Sequence, residues 1–200
     1  MEVKSRMKKC EKGTPGYLRE KLKIEIVRTI AYFAIVIAVF LLGYSQTHSK
    51  KNLLTVVAVV GCRPACKALV GVITRIPYKT IDQEAADEIA EKASHLTVIY
   101  DLVVTSTEKI MPIDCMVISG DKVFGYTTGK KIDLQDTAVY LRKMLRQNDL
   151  PEVSVKIYDQ YKAFLSIVEG LENIAAIEKK KVDTKEHEGK IAHVLMNISL

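Results

Sequence analysis

Two apolar stretches within residues 24–76, joined at the basic dipeptide Lys50 and Lys51, constrain what this 200-residue chain can fold into. From Thr29 to Ser49 there is no Asp, Glu, Lys or Arg, and about 20 mostly apolar residues suffice for a membrane-crossing helix. A secretory signal would have a short basic region, a shorter apolar core and a small-x-small cleavage site. Here residues 1–28 precede the core, and Gly43-Tyr44-Ser45-Gln46-Thr47 follows it. The expectation is an uncleaved anchor.

The second stretch, Leu53 to Ile76, is long enough to cross but carries Arg63, Pro64 and Lys67 near its middle. A charge at that depth costs about 2.5 to 3.5 kcal/mol on insertion scales. Three readings stay open: a second span whose charges snorkel or face a partner, a re-entrant or interfacial segment, and a soluble strand-turn-helix. The first gives a transmembrane hairpin at 24–76, with spans of about 27–44 and 53–74, after a basic juxtamembrane segment at 1–23. Lys and Arg are concentrated before the first stretch, and Arg75 and Lys79 follow the second. The positive-inside rule then puts the protein in the cell membrane with both termini cytoplasmic.

Charge follows the same division. The formal net charge is +6, but the basic excess lies in residues 1–78, while residues 79–200 hold 16 basic and 20 acidic residues. Attraction of a basic juxtamembrane segment to anionic lipid explains that excess without nucleic acid. Cys10, Cys62, Cys66 and Cys115 are scattered among segments that should not meet, so no disulfide framework is indicated.

Residues 79–200 suit one domain of ordinary size. Thr80 with Gln83 has the spacing of a capping box, opening a helix through about Ser94. Strand-like runs follow at 96–104, 110–118 and 122–127, and the first, apolar on both parities, is expected to be central. Gly120-Asp121 suits a hairpin turn, and Gly120, Gly125 and Gly129 are all assigned to turn geometry. Asp133 caps a helix to about Asn148, Pro151 precedes a strand at 153–158, and Asp159 caps a helix to about Lys179. Residues 179–190 read as a charged loop. Ile191 to Leu200 reads as a last strand at the sheet edge, because Ala192, Val194, Met196 and Ile198 share one parity.

The order helix, strand, strand, strand, helix, strand resembles the core of the restriction-endonuclease-like fold over residues 80–158, and the stretch Ile113 to Lys130 is similar to the nuclease-related domain family. The fold class expected is therefore an α/β (α+β) domain with an αβββαβ-type mixed sheet flanked by helices. In that family an acid in the second core strand and an acid-x-Lys in the third hold Mg²⁺, and the lysine orients or activates the attacking water. The resemblance makes Asp114 the strand acid, Glu84 or Glu88 the helix acid, Asp101 a further carboxylate and Lys130 the lysine. Where acid-x-Lys is expected, however, the chain reads Phe124-Gly125-Tyr126-Thr127-Thr128-Gly129-Lys130, with a lysine but no carboxylate. A net-negative domain also repels nucleic-acid phosphates.

Cys62-Arg63-Pro64-Ala65-Cys66 reads as packing thiols, since it lacks the two-residue spacing of redox motifs and any nearby His. His48, His95, His187 and His193 are isolated in sequence, and no Ser, Cys or Lys sits in a recognisable nucleophile motif. The leading expectation is a membrane-anchored, non-enzymatic protein with a cytoplasmic α/β binding domain. The alternative is a membrane-tethered Mg²⁺-dependent nuclease or a catalytically inactive nuclease-like nucleic-acid binder. No cofactor is expected except Mg²⁺ under that alternative. The partners expected are the lipid bilayer and a protein partner or second copy assembled through Arg63, Pro64 and Lys67, with no nucleic acid.

Overall fold

The computed structural model describes residues 11–47, 53–106, 109–129, 132–178 and 182–199. The chain divides into two compact units. One runs from Leu18 to Lys79, and the other takes Thr80 onward together with the segment ending at Tyr17.

The first unit is a pair of helices, α1 (Tyr17–Thr47) and α2 (Leu53–Arg75). At about 1.5 Å per residue they are roughly 46 and 34 Å long, so both can cross an apolar layer about 30 Å thick. They run antiparallel, because a Cβ built on Gly61 would lie 3.3 Å from Val36, while one on Gly71 would lie 3.2 Å from the Glu25 carboxylate. Among the described side chains of α2 the buried positions are Ala58, Ala65 and Val72, a seven-residue repeat whose two alanines let α1 approach closely. Large apolar side chains point outward on both helices, among them Ile30, Ile35, Leu41, Val59 and Ile73. Only 11% and 17% of the two apolar windows is buried, unlike the core helices of a soluble domain, which are mostly buried. Both stretches are helical, so the strand-turn-helix alternative for 53–76 is overturned.

The second unit is an α+β domain with a four-stranded mixed sheet: β1 (Thr97–Thr105), β2 (Ile110–Ser119), β3 (Lys122–Tyr126) and β4 (Ser154–Tyr158), in the order β1-β2-β3-β4. The first three strands form an antiparallel meander, and β4 lies parallel to β3. Parallel pairing requires a crossover, here α4 (Leu134–Gln147). Helix α4 and the C-terminal α6 (Val182–Asn197) cover one sheet face through Leu141, Leu145, Ile191 and Leu195. Helices α3 (Gln83–Lys92) and α5 (Tyr161–Glu178) cover the other through Ile89, Phe164 and Val168.

Several local expectations hold for visible reasons. The Asp133 carboxylate accepts from the amides of Gln135 (2.9 Å) and Asp136 (3.0 Å), capping α4 as its position before an apolar stripe implies. Gly120 carries the positive φ of the β2–β3 turn. Other expectations fail. Helix α3 has Asp82 at its N-cap rather than a Thr80–Gln83 capping box, with no side-chain cap, and the Thr80 hydroxyl has no hydrogen-bond partner among the described residues. Asp159 does not cap α5, whose first backbone bond goes to the Gln160 carbonyl. Gly125 lies inside β3 with ordinary backbone, and its missing side chain makes room for Ile157, whose Cδ1 would be 2.6 Å from an added Cβ.

The largest correction is at the C-terminus. Residues expected as a charged loop and a strand form α6, and strand pairing there shrinks to a single bridge between Val104 and Ser199. The buried set Glu188, Ile191, Ala192 and Leu195 recurs at helical spacing, a pattern obscured because Glu188 reads as solvent-facing in sequence. Glu188 is fully buried, and its carboxylate accepts from Thr97 Oγ1 (2.8 Å) and the Gly120 amide (2.7 Å).

The strand expected to be central, β1, lies at the sheet edge. Its apolar residues on both parities are explained by helices on both faces. Part of its open edge is covered by the N-terminal turn, where the Tyr100 amide donates to the Gly13 carbonyl at 2.9 Å. Gly13 has φ +91°, and an added Cβ would lie 2.9 Å from Ile99 Cγ2 and 3.1 Å from Met196 Sδ, so only glycine fits.

Candidate functional site

Two buried carboxylates mark the centre of the α+β domain. Asp101 on β1 and Asp114 on β2 fall between the cross-strand pairs Tyr100–Cys115 and Leu102–Ile113. They are 3% and 7% exposed. At this level both strands lose their two-residue alternation: Ile99 and Leu102 share one core, as do Ile113 and Met116. Asp101 takes a left-handed φ of 55°, which Asp tolerates better than a branched residue would.

The two carboxylates have different partners. Asp101 accepts from the amides of Gly16 (2.8 Å) and Ile81 (3.0 Å), tying the N-terminal turn and the approach to α3 onto β1. Asp114 accepts from the Thr128 amide at 2.5 Å, holding the segment after β3. Burial pushes the Asp114 carboxyl above its usual range, Thr128 opposes this, and the nearby charge of Asp82 adds to the rise. Asp82, at the N-cap of α3, is the acid whose charge acts on this carboxyl, rather than Glu84 or Glu88.

Glu84 lies exposed in the first turn of α3. Glu88 is held below the usual carboxylate range by the Tyr161 hydroxyl, which donates to it at 2.7 Å, and by Lys92 at 3.2 Å. Lys92 also pairs with Glu169 at 2.7 Å, so Glu88 belongs to a network linking α3 to α5. Tyr161 in turn stacks edge-on against Tyr126, which also stacks on Phe164. Lys130 lies outside the described residues. Among the described residues no group of three or more His, Cys, Asp or Glu could hold a metal ion. Of the described sequence candidates only Asp101 and Asp114 share a level of the sheet, and both carboxylates are turned to backbone amides.

Two other groups have the elements of nucleophilic chemistry without its geometry. Ser94 donates to Glu172 at 2.7 Å, and His95 meets the same carboxylate through both Nδ1 and its amide. A catalytic relay needs serine and carboxylate on opposite imidazole nitrogens, whereas here both reach Nδ1. The cluster ties the end of α3 to α5. The Cys115 thiol is fully buried, and burial pushes its pKa well up, opposite to what a reactive thiolate needs.

In the helical pair, Arg75 Nη1 donates to Glu25 at 2.7 Å and to the Gly71 carbonyl at 3.1 Å. This pair was not legible in sequence, because Glu25 lies ahead of the charge-free stretch and meets α2 only through antiparallel packing. Arg63, Pro64 and Lys67 are exposed on α2, and neither cation has an acidic partner among the described residues. The Gly61–Val36 and Gly71–Glu25 approaches fix the register. They place Lys67 level with Thr29 and Ile30, and Arg63 level with Phe33 and Ala34.

The chain matches no family model, no curated protein and no solved structure.

Proposed function

We propose that this is a membrane-anchored protein whose helical pair inserts as a hairpin and whose α+β domain acts as a cytoplasmic binding module. The carrying observation is the outward-facing apolar surface of α1 and α2, far larger than a soluble surface tolerates. The helix register supports insertion of α2 despite its charges. Residues 17–28 of α1 are rich in charge and suit the headgroup region, so the apolar layer begins near Thr29. Lys67 is then at the boundary. Arg63 lies about one turn deeper, roughly 6 to 7 Å, within reach of the surface by snorkelling.

Sidedness is testable with an impermeant thiol reagent on intact cells. Cys115 is buried and would be protected on either side, so Lys143→Cys on the exposed face of α4 is the better reporter. We expect Ser49→Cys to react from outside and Lys143→Cys to react only after permeabilisation. Labelling of Lys143→Cys on intact cells would overturn the cytoplasmic placement.

A second reading, a nuclease-derived domain, is favoured by one observation: the order α3-β1-β2-β3-α4-β4 with Asp114 on the second strand. The absence of a carboxylate from β3 favours binding over cleavage within that reading.

A further inference from the structure

A groove of about 360 Å³ lies between α1 and α2 near the start of the first helix and the end of the second. Glu25 on its wall is committed to Arg75, so its one carboxylate is neutralised. Arg28 and Lys67 contribute two further cations, with no acidic partner among the described residues. Tyr32 stands one turn along α1 from Arg28, on the same face, and brings a hydroxyl. Across from them α2 presents Ala68 and Gly71, so no bulky side chain fills the space.

We propose that this groove binds the phosphate of an anionic membrane lipid. A guanidinium fork, an ammonium and a phenolic hydroxyl converging on one space are the donors a phosphate takes. The position selects a lipid over free phosphate. The groove lies where the charge-free stretch of α1 begins, and from there exposed apolar residues on the groove's side of the two helices, Ile35 on α1 and Val57 and Val60 on α2, continue toward the other end of the pair, where acyl chains would run. The bound headgroup also neutralises Lys67 at the level where α2 leaves the apolar layer. This assignment rests on the membrane anchoring proposed above.

The test uses the full chain in mild detergent, titrated with fluorescent phosphatidylglycerol and with fluorescent phosphatidylcholine carrying the same label. In parallel, carbonate extraction of cell membranes reports anchoring alone. We expect about a tenfold preference for phosphatidylglycerol. That preference should be lost in Arg28→Gln/Lys67→Gln and in Ala68→Leu, which fills the groove while keeping its charge. Lys23→Gln, whose parent lysine pairs with Glu20 on the exposed face, should keep it. Carbonate-resistant protein whose lipid preference is unchanged in both groove variants overturns the site and leaves the anchoring intact. Displacement of the lipid by millimolar inorganic phosphate overturns the lipid assignment. Release of the parent chain by carbonate overturns the anchoring and this site together.

Discussion

Asp101 and Asp114 occupy the same level of the β1–β2 ladder, both buried, each with its carboxylate turned to backbone amides from outside the hairpin. Burying a carboxylate is costly unless it is hydrogen-bonded. The amides of Gly16, Ile81 and Thr128 offset that cost, and in return the pair fixes three irregular segments to the sheet.

Replacing Asp101 should show this most plainly. Asp101→Ala leaves two amides without their acceptor and is expected to cost about 3 kcal/mol in denaturant unfolding, given 1.5 to 3 kcal/mol for a hydrogen bond to a charged group. Asp101→Asn should cost less, because Asn accepts one of the bonds and tolerates the left-handed backbone. Equal losses in the two variants would mean that the carboxylate charge, not hydrogen bonding, holds the segments.

Asp114 should give stability a distinctive pH dependence. Its folded pKa is raised, so the native state binds its proton more readily than the unfolded chain. Its contribution is fully present at pH below the ordinary carboxylate range and is lost as pH rises through the raised value. Glu88 and Glu172 are shifted the opposite way and destabilise the fold as pH falls. The comparison with Asp114→Asn cancels their effect. The variant should be more stable than the parent at neutral pH, with the difference vanishing in acid, as measured by urea unfolding across pH. A pH-independent difference would contradict the assignment.

Packing of Ile157 on Gly125 predicts coupling between these two positions. Gly125→Ala pushes a methyl into Ile157 Cδ1 and should cost about 1 to 3 kcal/mol. Ile157→Val removes that same Cδ1, so the double variant should recover part of the loss. Additive effects in thermal unfolding would show that the two side chains do not meet.

Cleavage is the remaining test. With no carboxylate on β3 and the available acids bonded to amides, purified protein is expected to leave DNA and RNA intact with Mg²⁺ or Mn²⁺. Metal-dependent cleavage abolished by Asp114→Ala would establish the nuclease alternative.

The sequence by itself determined the first apolar helix, the four strands and the positions of helices α3 to α5, because each follows a local period, a turn glycine or a cap such as Asp133 that acts within a few residues. Asp114 was also visible as a strand acid among apolar neighbours. Tertiary structure alone decided the rest, because those contacts join residues far apart in the chain. Only folding brings Gly13 against Ile99 and Met196 at the edge of β1. Glu188 reads as solvent-facing until Thr97 and the Gly120 amide satisfy its carboxylate, and with that the last segment becomes a helix. Antiparallel packing of α1 against α2 paired Arg75 with a Glu25 fifty residues earlier.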